Sequence, residues 1–167
     1  VLLTSGYFPQ QLQVQSATYG TNLTPDTAAA AKAGVTHMWV LDAQTGAVIR
    51  KIDTPSTVTS YGLSTPNVVD FGLDQIGDVS IAGDLAGNLW RFDLSNTDST
   101  KWSVEAMFKT YTSTSACSTS NTSGIGCEPI TVQPQVCADE ATGSVIDVFG
   151  WGEYLGPSDR TPRSLIG

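Results

Sequence analysis

Residues 62–95 read GLSTPNVVDFGLDQIGDVSIAGDLAGNLWRFDLS. Val68 and Val69 lead, as the end of a strand, into a loop marked by Asp70, Asp74 and Asp78 at intervals of four. Val79, Ile81 and Ala82 resume a strand, and Asp84-Leu85-Ala86-Gly87-Asn88 turns it back. Leu89-Trp90-Arg91-Phe92-Asp93-Leu94 then alternates as a half-buried strand does. Residues 102–110 (WSVEAMFKT) follow with Trp102, Val104, Ala106 and Phe108 on one face and Ser103, Glu105, Met107 and Lys109 on the other. The stretch predicts four strands in sequence, the pattern of one antiparallel sheet.

Looser copies of these strands occur on both sides. Met38-Trp39-Val40-Leu41-Asp42 repeats the pattern of Leu89-Trp90-Arg91-Phe92-Asp93. Gln133-Pro134-Gln135-Val136 repeats Thr65-Pro66-Asn67-Val68. Residues 145–150 (VIDVFG) and 1–7 (VLLTSGY) both resemble Val79-Ser80-Ile81-Ala82-Gly83. The copies keep one order, which is the sign of a repeat architecture. The fold class this predicts is all-β: a segment of a β-propeller built from four-stranded antiparallel blades. Residues 62–110 are read as a complete blade, with partial blades at 1–61 and 127–156. A small β-sandwich is the alternative, and it does not explain the shared order. Isolated blades leave apolar faces and open edges. The chain, which opens directly on Val1-Leu2-Leu3, is therefore read as a piece of a longer propeller, or as one that buries those surfaces against other chains.

Two insertions interrupt the pattern, at residues 9–35 and 111–126. The first holds one helical signal: Thr24 as a cap, Pro25 at the first helical position, an alanine run, and Gly34 as the stop. The second is rich in Ser and Thr and is read as a loop. Pro134 marks the strand read at 129–136 as an edge or bulged one. Residues 138–144 read as a turn, 145–155 as a last strand, and 156–167 as polar and turn-rich.

Only 14% of the 167 residues are charged, and solubility rests on Ser, Thr, Asn, Gln and Gly, as in extracellular all-β proteins. Sixteen Asp and Glu against eight Lys and Arg give a net charge of -8. That balance excludes nucleic acid as a natural partner, because phosphate backbones need clustered cations. It also disfavours anionic membrane surfaces. No run is long or apolar enough to span a bilayer as a helix. Cys117 and Cys127 flank a loop that a disulfide could close in an oxidising compartment, which leaves Cys137 odd. Three reduced thiols are the alternative.

The acidic loop carries the sharpest chemical signal. Calcium takes several oxygens on a tight loop, with carboxylates at alternate positions and a backbone carbonyl among them. Asp70, Asp74 and Asp78 occupy the first, fifth and ninth places, and the carbonyl of Ile76 falls at the seventh. Gly72, at the third, offers no side-chain oxygen. The predicted metal set is Asp70, Asp74, Ile76 and Asp78 binding Ca2+, with waters completing the shell. A loop of solvated aspartates is the bland alternative.

Asp42-Ala43-Gln44-Thr45-Gly46 is similar to the turn of quinoprotein-type propeller repeats, in which a Trp follows and docks one blade on the next. Arg50 stands at that place, so a quinone-dependent oxidoreductase is the weaker reading. A purely structural scaffold segment of a multi-chain surface assembly, which open blade edges would favour, is the other alternative. The turn itself is structural, since Asp and Thr side chains bond turn backbones. Trp39, Trp90, Trp102 and Trp151 read as blade-packing residues. The single histidine, His37, reads as a lone residue at a strand end, and no nucleophile motif accompanies it. No catalytic residue is assigned.

Together, GLSTPNVVDF, the Asp loop, AGDLAGNLWRFDLS and the upstream MWVLDAQTGAVIRKI closely resemble the C-terminal propeller of the type IV pilus tip-associated adhesins, the PilC/PilY family. PITVQPQV and VFGWGEYL resemble that family's next blade. The resemblance implies a secreted, non-enzymatic protein at the pilus tip or outer cell surface, acting in pilus assembly, adhesion and retraction control. It implies other parts of the propeller, or pilus subunits, as partners. It also implies a calcium loop in this propeller, whose ligand places fall on Asp70, Gly72, Asp74, Ile76 (carbonyl) and Asp78. Gly72 departs from the family's pattern.

Overall fold

In the computed structural model of the chain, residues 1–6, 35–110, 128–139, 144–152 and 165–166 are described. Their strands form three antiparallel sheets. The first contains β1 (Leu2–Thr4), β2 (His37–Leu41) and β3 (Val48–Asp53), in that order. The second is a four-stranded meander of β4 (Asn67–Val69), β5 (Val79–Gly83), β6 (Asn88–Asp93) and β7 (Ser103–Lys109). In the third, β9 (Ser144–Gly150) lies between β8 (Gln135–Asp139) and β10 (Leu165–Ile166). Among the described residues the only helical element is a 3-10 turn, Ser99–Lys101, capped by Asp98. The helix expected near residues 24–34, the Ser/Thr-rich insertion, Cys117 and Cys127 lie outside the described residues. Cys137 is a free, exposed thiol on β8.

The middle sheet is packed on both faces, as a propeller blade is. Side chains alternate across a strand, so neighbours in β5 and β6 go to opposite sides. Ala82, Trp90, Phe92 and Leu94 pack with Met38 and Ile52 of the first sheet and with Leu63. Val79, Ile81 and Leu89 pack with Ile130, and Val136, Phe149 and Trp151 join them from the third sheet side. Every position of β5 is therefore buried. Full burial of a side chain the size of Phe92 is worth about 1.5–3 kcal/mol. Trp90 is the central packing residue among the tryptophans, whereas Trp39, Trp102 and Trp151 are only partly buried.

Three sequence expectations change. The register of β7 on β6 shifts, so that Leu89 faces Phe108 while Trp90 faces Ala106. Met107 is the extra residue of a bulge, which breaks strict alternation. Phe108 is thereby turned from the face of Ala106 to that of Leu89, where its ring meets Phe149 edge-on at 5.5 Å. Next, the strand expected at 129–136 begins only after Pro134, whose ring nitrogen has no hydrogen to give a ladder. It runs on to Asp139, through the start of the expected turn, and Ile130 makes a single bridge to Gly152. Finally, Leu165 and Ile166 pair with Gly150 and Phe149, adding a strand to a stretch that reads as turns.

Candidate metal centre

Loop 70–78 joins β4 to β5 and is closed at its neck. The Asp78 amide donates to the Val69 carbonyl at 2.9 Å, and the Leu94 amide donates to the Asp78 carbonyl at 2.7 Å. Inside the neck, the aspartates collect the loop's own N–H groups. Asp78 Oδ2 accepts from Phe71 at 2.8 Å and from Gly72 at 3.0 Å. Asp70 accepts from Asp74 at 3.3 Å and from Gln75 at 2.7 Å, and Asp74 accepts from Ile76 at 2.9 Å. Asp70 and Asp74 thus bond backbone a few residues on, as turn-forming aspartates do, while Asp78 reaches back across the loop to Phe71 and Gly72. Leu73 and Gln75 take left-handed backbone conformations, with φ of 54° and 72°.

All three carboxylates sit around Gly72. A Cβ built there would lie 3.8 Å from Asp74 Cγ, 3.8 Å from Asp78 Oδ2 and 3.9 Å from Asp70 Oδ1. The sequence spacing thus brings Asp70, Asp74 and Asp78 together. They are not drawn into a closed grip: among the described residues no three His, Cys, Asp or Glu side chains are gathered as metal ligands. The donor chemistry nevertheless suits a hard cation. Three carboxylates share one short, exposed loop, and Ile76 adds a backbone carbonyl.

A second acidic group escapes a sequence reading. Asp84, read from the sequence only as part of the β5–β6 turn, is fully buried. Its Oδ2 accepts from Ser60 Oγ at 2.7 Å, Asn88 Nδ2 at 2.8 Å and Trp90 Nε1 at 2.7 Å. Its Oδ1 accepts from the Asn88 amide at 2.8 Å. Burial pushes the Asp84 carboxyl up, against the lowering effect of the bonds from Asn88, Trp90 and Ser60. The Asp84 carbonyl also accepts the Ile130 amide at 2.9 Å, and Leu85 donates to Tyr61 at 2.9 Å. The turn is therefore a knot that fastens the segments before and after the middle sheet. The available signal was an Asp followed by Asn and Trp at four and six residues, both with N–H groups to give.

The remaining expected positions are structural. Asp42 Oδ1 accepts from the Gln44 and Thr45 amides at 3.0 and 2.7 Å and from Thr45 Oγ1 at 2.8 Å, and Gly46 supplies a φ of 71°. These bonds, the Thr45 hydroxyl first, hold the Asp42 carboxyl below its ordinary value. Arg50 lies near Asp98, and its Nε is buried without a hydrogen-bond partner among the described residues. His37 is not alone at its strand end, because the β2–β3 register sets it opposite Asp53, with Nδ1 to Oδ1 at 2.7 Å. Lys51 also reaches Asp53, at 3.2 Å. Ser5 Oγ accepts the His37 backbone amide at 3.3 Å and is thus engaged with main chain.

The packed sheets and their repeated strands define a segment of a β-propeller with four-stranded blades. The model of the PilY1 beta-propeller domain family matches residues 8–165, and the chain belongs to that family. Over 56 residues it is 48% identical to the type IV pilus biogenesis factor PilY1 of Pseudomonas aeruginosa strain PAO1, covering 33% of this chain and 5% of that protein. Over 138 residues it is 28% identical to a type IV pilus biogenesis factor PilY1 homolog of Xylella fastidiosa strain Temecula1, covering 77% of this chain and 9% of that protein. The crystal structure of the Pseudomonas aeruginosa PilY1 C-terminal domain superposes with a TM-score of 0.55 at 27% identity, over 75% of this chain and 28% of the other. The chain thus spans 5% to 9% of the length of these curated relatives. The resemblance read from GLSTPNVVDF and AGDLAGNLWRFDLS is borne out.

Proposed function

We propose that the chain is a non-enzymatic propeller part of a type IV pilus surface protein, acting in pilus biogenesis and adhesion at the pilus tip or outer cell surface, and modulated by calcium. Membership of the PilY1 propeller family, whose named relatives are pilus biogenesis factors, supports the pilus role. The partners are further blades of the same propeller or pilus subunits. Apolar side chains left in solvent on the flanking sheets suit such partners: Leu3, Val48 and Ile49 on the first, and Ile146 and Val148 on the third.

The convergence of Asp70, Asp74 and Asp78 around Gly72 is the observation that carries the calcium reading. Asp70, Asp74 and Asp78 would hold the ion by carboxylate oxygens and Ile76 by its carbonyl, with water in place of the ligand that Gly72 lacks. Bound calcium supplies positive charge to a loop that otherwise holds three carboxylates near one another. The chain's own part is to close the neck and orient the carboxylates through its amides.

The test is thermal unfolding of the parent polypeptide in millimolar calcium and in chelator. Calcium should raise the melting temperature, because a ligand that binds only the folded state stabilises it by mass action. Asp74→Ala should abolish the rise. Asp74 is the choice because it accepts one loop amide, whereas Asp70 and Asp78 each accept two. A melting temperature unchanged by calcium would sink this reading.

A further inference from the structure

Loop 70–78 carries more than carboxylates. Three of its side chains are large, apolar and left in water: Leu73 is 86% exposed, Ile76 65% and Phe71 49%. Scattered surface leucines need no explanation, but three large apolar residues on one short acidic loop do. The loop also holds Leu73 at φ 54°, where asparagine or glycine would sit more easily. Its neck is pinned by the Asp78–Val69 and Leu94–Asp78 backbone bonds, so the tip is presented from a fixed base.

We propose that the tip of this loop docks a protein partner that offers an apolar socket rimmed by lysine or arginine. Phe71, Leu73 and Ile76 are the apolar contacts; Asp74, exposed between Leu73 and Ile76, and the half-exposed Asp70 and Asp78 at the two ends of the loop supply the negative charge that the basic rim would meet. Charge complementarity selects this occupant. With 16 acidic residues against 8 basic ones, the chain repels an anionic lipid surface or a second acidic copy of itself and attracts a basic one. The inference goes beyond calcium binding and does not rest on it: the apolar contacts and the carboxylates are present without the ion, and an ion held by Asp70, Asp74 and Asp78 would weaken the attraction to the basic rim.

The test uses the purified parent polypeptide in chelator, so that failure of the calcium reading leaves this one standing. The probe is a fluorescent amphipathic peptide of leucine and lysine, with a leucine and glutamate counterpart as control, read by anisotropy. The lysine peptide should bind, and the glutamate peptide should bind at least about tenfold more weakly. Leu73→Asn should weaken lysine-peptide binding about tenfold, the effect of losing one well-buried apolar contact. Because asparagine tolerates the left-handed backbone, this variant should melt at or above the wild-type temperature, which separates lost docking from lost fold. Phe71→Ser should weaken binding in the same direction. Equal affinity of wild type and Leu73→Asn, or equal binding of the two peptides, overturns the proposal. So does capture by neutral phosphatidylcholine vesicles that Leu73→Asn abolishes, which would point to lipid. A dimer by size exclusion that Leu73→Asn dissociates would overturn it in favour of a second copy.

Discussion

Asp84→Ala probes the knot beneath the middle sheet. The substitution removes a buried acceptor that four donors address: Ser60 Oγ, Asn88 Nδ2, Trp90 Nε1 and the Asn88 amide. Two of those donor groups keep another partner. Ser60 Oγ lies 2.7 Å from Thr36 Oγ1, and Asn88 Nδ2 donates to the Thr59 carbonyl at 2.9 Å. The loss therefore falls mainly on the Trp90 indole and the Asn88 amide. At about 1–3 kcal/mol for each buried donor left without its acceptor, the expected cost is about 4 kcal/mol. That is a large part of the 5–15 kcal/mol typical of a domain. Urea unfolding of the parent polypeptide, followed by tryptophan emission, should show a lower midpoint with the slope unchanged. Asp84→Asn keeps the shape and one carbonyl acceptor and should cost less. A loss below about 1 kcal/mol in Asp84→Ala would refute the reasoning, because water or a neighbour would then replace the carboxyl without penalty.

Gly83→Ala should loosen the contact between the middle sheet and the segment that follows it. A Cβ there would overlap the Ile130 side chain and meet the Ile130 carbonyl at 2.6 Å, which forces backbone to move. A cost of about 1–3 kcal/mol is expected, with faster amide exchange at Ile130; wild-type exchange would contradict it. The acid dependence of stability should divide by site. The Asp42, Asp93 and Asp98 carboxyls are lowered chiefly by bonds from Thr45, Ser95 and Thr100, so their contribution is complete above about 3.8 and fades as pH falls through their lowered values. Asp84 is raised by burial, so its contribution is complete below about 3.8 and is lost as pH rises through its raised value. Unfolding midpoints across a pH series should therefore show wild type losing ground to Asp84→Asn as pH rises from about 4 and then levelling. A difference that grows in favour of wild type would contradict this.

The propeller was legible in the sequence because its signals are local. The Asp42 and Gly46 turn chemistry and the alternation in β6 each lie within a few residues, and the order of strands repeats along the chain in the residues themselves. What escaped depends on distant partners. Leu165 and Ile166 are too few to announce a strand and exist as one because β9 offers them an edge. Phe108 changes face through a one-residue bulge that leaves no mark in the pattern of WSVEAMFKT. Asp84 sits in a turn of ordinary composition, and its burial comes from residues 59–61 and 128–130 folding over it. His37 gains its Asp53 partner only through the hairpin register. At the acidic loop, the spacing set Asp70, Asp74 and Asp78 on one loop around Gly72, but did not announce that their oxygens would be shared among the loop's own amides and not gathered as metal ligands.

That sharing makes a direct binding measurement the most informative. Calorimetric titration of the parent polypeptide with calcium, beside the same titration of Asp74→Ala, tests whether the loop is a cation site. The account predicts saturable binding in the wild type that Asp74→Ala removes. Heat no greater than dilution in the wild type, or a binding isotherm that Asp74→Ala leaves unchanged, would contradict it.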